Sequence, residues 1–271
     1  METTIMAEYE RFKYENAPLI EVTFQVNFPT ILAIEANEPV EFQQYVMKKF
    51  PNYDSKTEYQ SEVTVNLENE KADVSASMGN HKRRKLHIFV SEDQKWKITL
   101  AKDMVAFTTV DYKYWEDMAA RTVDVIKALI ESYHPLYFNR VGIRYIDAID
   151  RSVYGVENVP WCELLQPHIC GSFSYQTDED VKVRGCSVGS EIAINDIYIN
   201  YTSGTGLIDR HDGTMPHEAF ILNCDYYYSK KTNIDGIGPI SEKLHLLSHK
   251  FFRESITDRL HKAMHPEELI V

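Results

Sequence analysis

Apolar and polar positions alternate most cleanly over residues 19–28. Ile20, Val22, Phe24, Val26 and Phe28 take one face there, and Glu21, Thr23, Gln25 and Asn27 the other. A period of two is the pattern of a half-buried strand. The alternation returns mid-chain in FNRVGIRYIDAID, residues 138–150, where Val141, Ile143 and Tyr145 oppose Arg140, Gly142 and Arg144. Between these two strands the pattern predicts a helix with Asn37 as N-cap and Pro39 in its first turn. It buries Phe42, Tyr45, Val46 and Met47 and stops at Phe50-Pro51. Residues 62–67, 86–90, 96–100 and 104–110 then read as strands, with a polar linker over 68–85. A long amphipathic helix follows over 112–133, with Asp111 as its candidate N-cap. Trp115, Met118, Thr122, Val125, Ile126, Leu129 and Tyr133 form its stripe, and His134-Pro135 ends it.

Beyond the mid-chain strand the spacing predicts a short helix near 161–168. Three long strands follow: 171–176 continuing toward Ser187, 192–201, and 217–228. Turn formers gather at Ser203-Gly204-Thr205-Gly206 and His211-Asp212-Gly213. A loop over 233–239 precedes a last helix, capped by Ser241 and running to about Met264. Each half of the protein thus reads strand, helix, strands, helix. The expected architecture is α+β: two pseudo-repeats of β-α-β-meander-α, residues 1–134 and 135–271, integrated in one domain. They would share one curved antiparallel sheet with helices on one face. The saddle of the TATA-binding protein is the architectural analogy, and it carries no functional weight.

Composition narrows the setting. The protein has 271 residues, 44% hydrophobic and 26% charged, which is the balance of a globular protein with a sizeable core. A net charge of −12 argues against whole-surface attraction to nucleic acid or anionic membranes. The four cysteines, Cys162, Cys170, Cys186 and Cys224, form no C-x-x-C pair and read as reduced thiols in a cytoplasmic protein. The first fourteen residues are too charged for a signal peptide, and no apolar run reaches membrane-spanning length.

Several stretches occur together in a recognisable order: NAPLIEVTFQV at residues 16–26, Phe50-Pro51, the YxxWEDM run from Tyr112 to Met118, RVGIRYID at 140–147, and FFRESITDRLH at 251–261. Over nearly the whole length this resembles an uncharacterised, sporadically distributed family of bacterial proteins. That family is marked by PLxEVxFxxxF near the N-terminus and RxGxRYxN/D mid-chain. The resemblance implies an accessory bacterial protein and carries over no catalytic residue.

Arg140 and Arg144 stand on the polar face of the mid-chain strand, with Thr23 and Gln25 offered by the first strand on the same side. Two such arginines could grip a phosphate or a carboxylate. The favoured reading is an internal salt bridge from one of them to Glu21, because sheet-centre arginines are usually paired. The run His81-Lys82-Arg83-Arg84-Lys85 is the one concentrated basic stretch. As a loop, Lys82, Arg83, Arg84 and Lys85 could track a nucleic-acid backbone, but a solvated loop is the favoured reading. His245 and His249 have the i,i+4 spacing of metal ligands, but no Glu lies between them and no third ligand is indicated; they read as partly exposed helix positions. His211-Asp212 and His217-Glu218 read as loop residues. An outward ring in Tyr226-Tyr227-Tyr228 would suit a protein interface.

No catalytic constellation stands out, and neither a cofactor nor a metal is expected. The leading expectation is a non-enzymatic protein-binding or regulatory subunit, in the manner of an antitoxin or a bacterial defence component. Its partner would be another protein, with self-association left open and nucleic acid and membrane disfavoured. The alternative is a nucleic-acid- or nucleotide-binding protein that uses the open sheet face and the basic run at 81–85.

Overall fold

The structure is a computed structural model that describes residues 11–60, 64–68, 71–75, 82–175, 182–208 and 216–269. It is α+β and built on one nine-stranded sheet. The first part runs β1 (Arg11–Tyr14), β2 (Leu19–Asn27), α1 (Leu32–Ala36), α2 (Val40–Val46), β3 (Asn52–Gln60), β4 (Thr64–Glu68), β5 (Lys71–Ser75) and β6 (Lys82–Val90). β7 (Trp96–Ala101), β8 (Met104–Thr109) and α3 (Trp115–Tyr133) lead to β9 (Arg140–Ile149), the mid-chain strand. Two short helices follow, α4 (Trp161–Leu164) and α5 (Pro167–Cys170), then β10 (Ser187–Ile194), β11 (Ile197–Ile208) and β12 (His217–Tyr228). The last elements are α6 (Ile234–Ser255), α7 (Asp258–Ala263) and β13 (Pro266–Leu269).

The strand order is β10-β11-β12-β9-β2-β8-β7-β6-β3, and every neighbouring pair is antiparallel. β2 and β9 are therefore adjacent in the middle. β4 pairs with β5, and β1 pairs with β13, as separate two-stranded ladders.

One face of the sheet carries the core. Val22, Phe24 and Val26 from β2, Val141, Ile143 and Tyr145 from β9, and Leu222, Cys224 and Tyr226 from β12 are all buried in one cluster with the stripes of α3 and α6. Each fully buried Phe, Leu or Val there contributes on the order of 2 kcal/mol relative to exposure. Trp115, the first residue of α3, stacks on His245 of α6 at 4.5 Å, so the start of α3 meets α6 on this face. A smaller buried group, Leu86, Ala101, Met104 and Ala106, sits on the opposite face of β6, β7 and β8.

Several local expectations are corrected. Ile20 is 44% exposed because the β2–β9 register shifts between Leu19 and Glu21. Tyr45 and Met47 point outward from α2, whose N-cap is Pro39, while Asn37 ends α1. Asp111 caps nothing; it accepts from Lys95 and Lys113, which hold its carboxyl down at about 2, and α3 starts after Tyr114. Residues 171–175 form a 3₁₀ turn rather than a strand, entered through Gly171 at φ +56°. The strand expected at 192–201 is a hairpin, turning at Asn195-Asp196 with Asn195 at φ 54°. The loop expected at 233–239 belongs to α6, capped by Asn233, whose side chain accepts from Gly236 N; Ser241 instead donates to Ile237 O within the helix. Ile256 breaks that helix by bridging to Leu165.

Candidate functional site

Strands β2, β9, β12 and β11 lie side by side, so their outward residues form a continuous polar surface. Register sets Thr23 and Asp225 on either side of Arg144, Gln25 and Tyr227 on either side of Gly142, and Asn223 opposite Thr202. Together with Asn200 and Arg140 they line a basin of about 500 Å³. The sequence places Arg140, Arg144, Thr23 and Gln25 on one face, and the structure brings all four to this basin.

Arg140 is not paired with Glu21. Its Nη2 donates to both oxygens of Asp225 at 2.6 Å, and the guanidinium lies over the Tyr227 ring at 4.8 Å. Gly142 makes that pose available: a Cβ there would overlap the guanidinium, so only glycine lets it lie flat across the strand. Tyr227 in turn donates its OH to Glu191 at 2.7 Å and stacks on Tyr198 at 5.2 Å. Burial, reinforced by Glu191, pushes the Tyr227 hydroxyl up to about 12, so it stays a donor.

Arg144 is different. It is exposed, and its Nε donates to Asn223 Oδ1 at 2.6 Å. Among the described residues its guanidinium joins no ion pair. Glu21 accepts from Thr23 at 3.4 Å, and Thr23 also meets Thr108 at 2.9 Å. Gln25 donates to Asn27 at 2.8 Å, and Asn223 Nδ2 reaches Thr202 Oγ1 at 3.4 Å. The basin therefore holds one neutralised arginine, one cation available at its guanidinium end, and a rim of amides and hydroxyls tied to one another.

The basic run is not a loop. Lys82, Arg83, Arg84 and Lys85 open β6, and strand alternation sends Arg84 and Lys85 to opposite faces. Arg84, on the side of Leu86, pairs with Asp103; Lys85, on the side of His87, pairs with Glu38 at 2.7 Å. Two of the four charges are thus already neutralised within the protein. His81, the Gly79-Asn80 pair of the linker and His211-Asp212-Gly213 lie outside the described residues.

His245 is buried rather than half-exposed. Its Nδ1 meets the Tyr145 hydroxyl at 2.9 Å, and its ring packs between Trp115 and His249. Among the described residues no group of three or more His, Cys, Asp or Glu side chains could hold a metal. Ser203-Gly204-Thr205-Gly206 lies inside β11, and Ser203 donates to Ile169 O at 2.8 Å. Glu218 accepts from Arg151 at 2.9 Å. Among the described residues no helix is long and apolar enough to cross a membrane.

Sequence reasoning misses the far wall of the basin, Asn200, Thr202, Asn223 and Asp225. The polar alternation of β12, with Asn223 and Asp225 between Leu222, Cys224 and Tyr226, is the signal that could have found two of them. It also misses Asp147, which continues the core-facing row of β9 beyond Tyr145. This carboxyl is 8% exposed, and burial pushes it up to about 7.

No family model matches the sequence, and no curated protein matches it.

Proposed function

We propose that this is a non-enzymatic binding protein, a regulatory subunit that takes hold of a partner protein with the open face of its sheet. The observation that carries this reading is the basin. Arg140, Asp225, Arg144, Asn223 and Thr202 are held by hydrogen bonds within it, and a cation is presented at its centre. Preorganised amides, hydroxyls and arginine on a rigid sheet suit recognition, because little side-chain freedom is left to lose on binding.

The strand order supports reading the fold as two pseudo-repeats, residues 1–134 and 135–271, meeting at β2 and β9. Running outward from that seam, β2-β8-β7-β6 answers β9-β12-β11-β10. A saddle built this way would offer the partner one continuous surface. Four free cysteines, two of them buried, support a reducing cytoplasmic setting. A bacterial antitoxin or defence role rests on the family resemblance alone.

The nucleic-acid reading is weaker. It needs the β6 cations and the basin arginines to act as one positive field, yet Arg84, Lys85 and Arg140 are each paired with a carboxylate. Co-purification of a tagged copy expressed from its native locus tests the proposal. Thr202→Trp should abolish capture of the co-purifying protein without lowering the melting temperature. Capture unaffected by Thr202→Trp, or a salt-dependent gel shift with short DNA or RNA, would overturn it.

A further inference from the structure

We infer that Arg144 is a seat for a carboxylate carried by the partner protein, an inference that rests on the open-face reading above. Three features of the basin lead to this class of ligand.

The first is orientation. Asn223 occupies the Nε of Arg144 at 2.6 Å, which turns the side chain so that its two terminal nitrogens are the edge left for a ligand. That edge matches the two oxygens of a carboxylate, giving two parallel charge-assisted hydrogen bonds.

The second is the competition for Asp225. In the β9–β12 register Asp225 stands directly opposite Arg144, and it would be the natural intramolecular partner. It is taken instead by Arg140, four residues back along β9, whose guanidinium reaches it by lying across Gly142. Arg140 and Gly142 together keep the one nearby carboxylate of β12 away from Arg144, so the cation stays available.

The third is charge. Asp225 lines the basin as the partner of Arg140, so that pair carries no net charge, and the rim of Thr23, Gln25, Asn200, Thr202 and Asn223 is neutral. A phosphate dianion would therefore meet one uncompensated guanidinium and keep a negative charge unmatched beside Asp225. A planar monoanion gains the same fork with half the repulsion. The structure thus selects a carboxylate over a phosphoryl group. An acidic side chain and the terminal carboxylate of a polypeptide share this chemistry.

The test uses the full-length protein and simple probes, read by the NMR shifts of the Arg144 Nε–H and the Asn223 side-chain amide. Acetate should shift both saturably in the millimolar range, with inorganic phosphate clearly weaker. The Asn223 response should be lost in Arg144→Gln and weakened about tenfold in Arg144→Lys, which keeps the charge without the fork. Gly142→Ala should also weaken it, because the displaced Arg140 releases Asp225 to Arg144. Asp225→Asn should strengthen it and admit phosphate. The peptides acetyl-Ala-Asp-Ala-amide and acetyl-Ala-Ala-Ala with a free carboxyl end decide between an acidic side chain and a terminal carboxylate. Absence of a saturable shift in the wild type, or the same shift in Arg144→Gln, would overturn the seat, and phosphate binding as tightly as acetate would overturn its selectivity. If acetate fails while Thr202→Trp still abolishes partner capture, the seat is wrong and the binding face stands. If acetate binds at Arg144 while capture ignores Thr202→Trp, the seat stands and the binding face is wrong.

Discussion

Asp147 and His87 are buried against the preference of their charged forms. Each gives the stability of the protein a pH dependence. Asp147 sits on the core side of β9, where desolvation favours its neutral form and raises its pKa to about 7. Unfolded, the same carboxyl ionises near 4. Between about pH 4 and 7 the folded state therefore holds the extra proton, and stability falls as pH rises, by a few kcal/mol in all. His87, fully buried, is held below its usual value, first by burial. Its Nε2 meets Ile34 O at 2.8 Å and its Nδ1 the Tyr53 hydroxyl at 3.0 Å. For a base with a lowered pKa the sign is opposite: the stability present above about pH 6.5 is lost as pH falls through the folded value. Asp147→Asn should then remove the descent between about pH 4 and 7 and melt higher than the wild type at pH 8. Thermal melts across pH 4 to 8 check this, and an unchanged descent in the variant would exclude Asp147 as its cause. The burial of Asp147 was half-legible: alternation from Tyr145 puts it inward, but only the assembled core shows what surrounds it.

At the scale of elements, legibility followed how much of each pattern was local. β2, β9, β12 and α3 announce themselves because half of each is core, and Val22, Phe24, Val141, Ile143 and Met118 are buried where the period puts them. β3 did not, because an edge strand reading NYDSKTEYQ has no apolar row to display. The start of α6 was missed because Gly236, Gly238 and Pro239 look like a loop. The Asn233 cap and the burial of Ile237 outweigh them. Asn233→Ala should accordingly cost about 1 kcal/mol. Ser241→Ala should cost less, because its hydroxyl only back-bonds within the helix. Denaturant unfolding of the two variants discriminates; a larger loss for Ser241→Ala would put the helix start where the sequence alone suggested.

The binding face belongs to the whole molecule. Thr23, Gln25, Arg140 and Arg144 could be placed on one face from alternation alone, since β2 and β9 are neighbours. Asn200, Thr202, Asn223 and Asp225 could not, because their position depends on β12 choosing β9, and β11 choosing β12, at one register among several. The same long-range pairing took Arg140 from Glu21 and gave it Asp225. It also split the basic run between two faces, turning an apparent patch into separate ion pairs. A protein of net charge −12 can thus still present a cation at the middle of a nine-stranded sheet, beside the Arg140–Asp225 pair and a rim of neutral amides and hydroxyls. The most direct test of the open face as the working surface is photocrosslinking in cells, with a benzophenone side chain placed at Asn200 on that face or at Glu131 on the exposed side of α3. A discrete protein adduct is expected from position 200 and none from position 131; an adduct from position 131 with none from position 200 would contradict the open face as the binding surface.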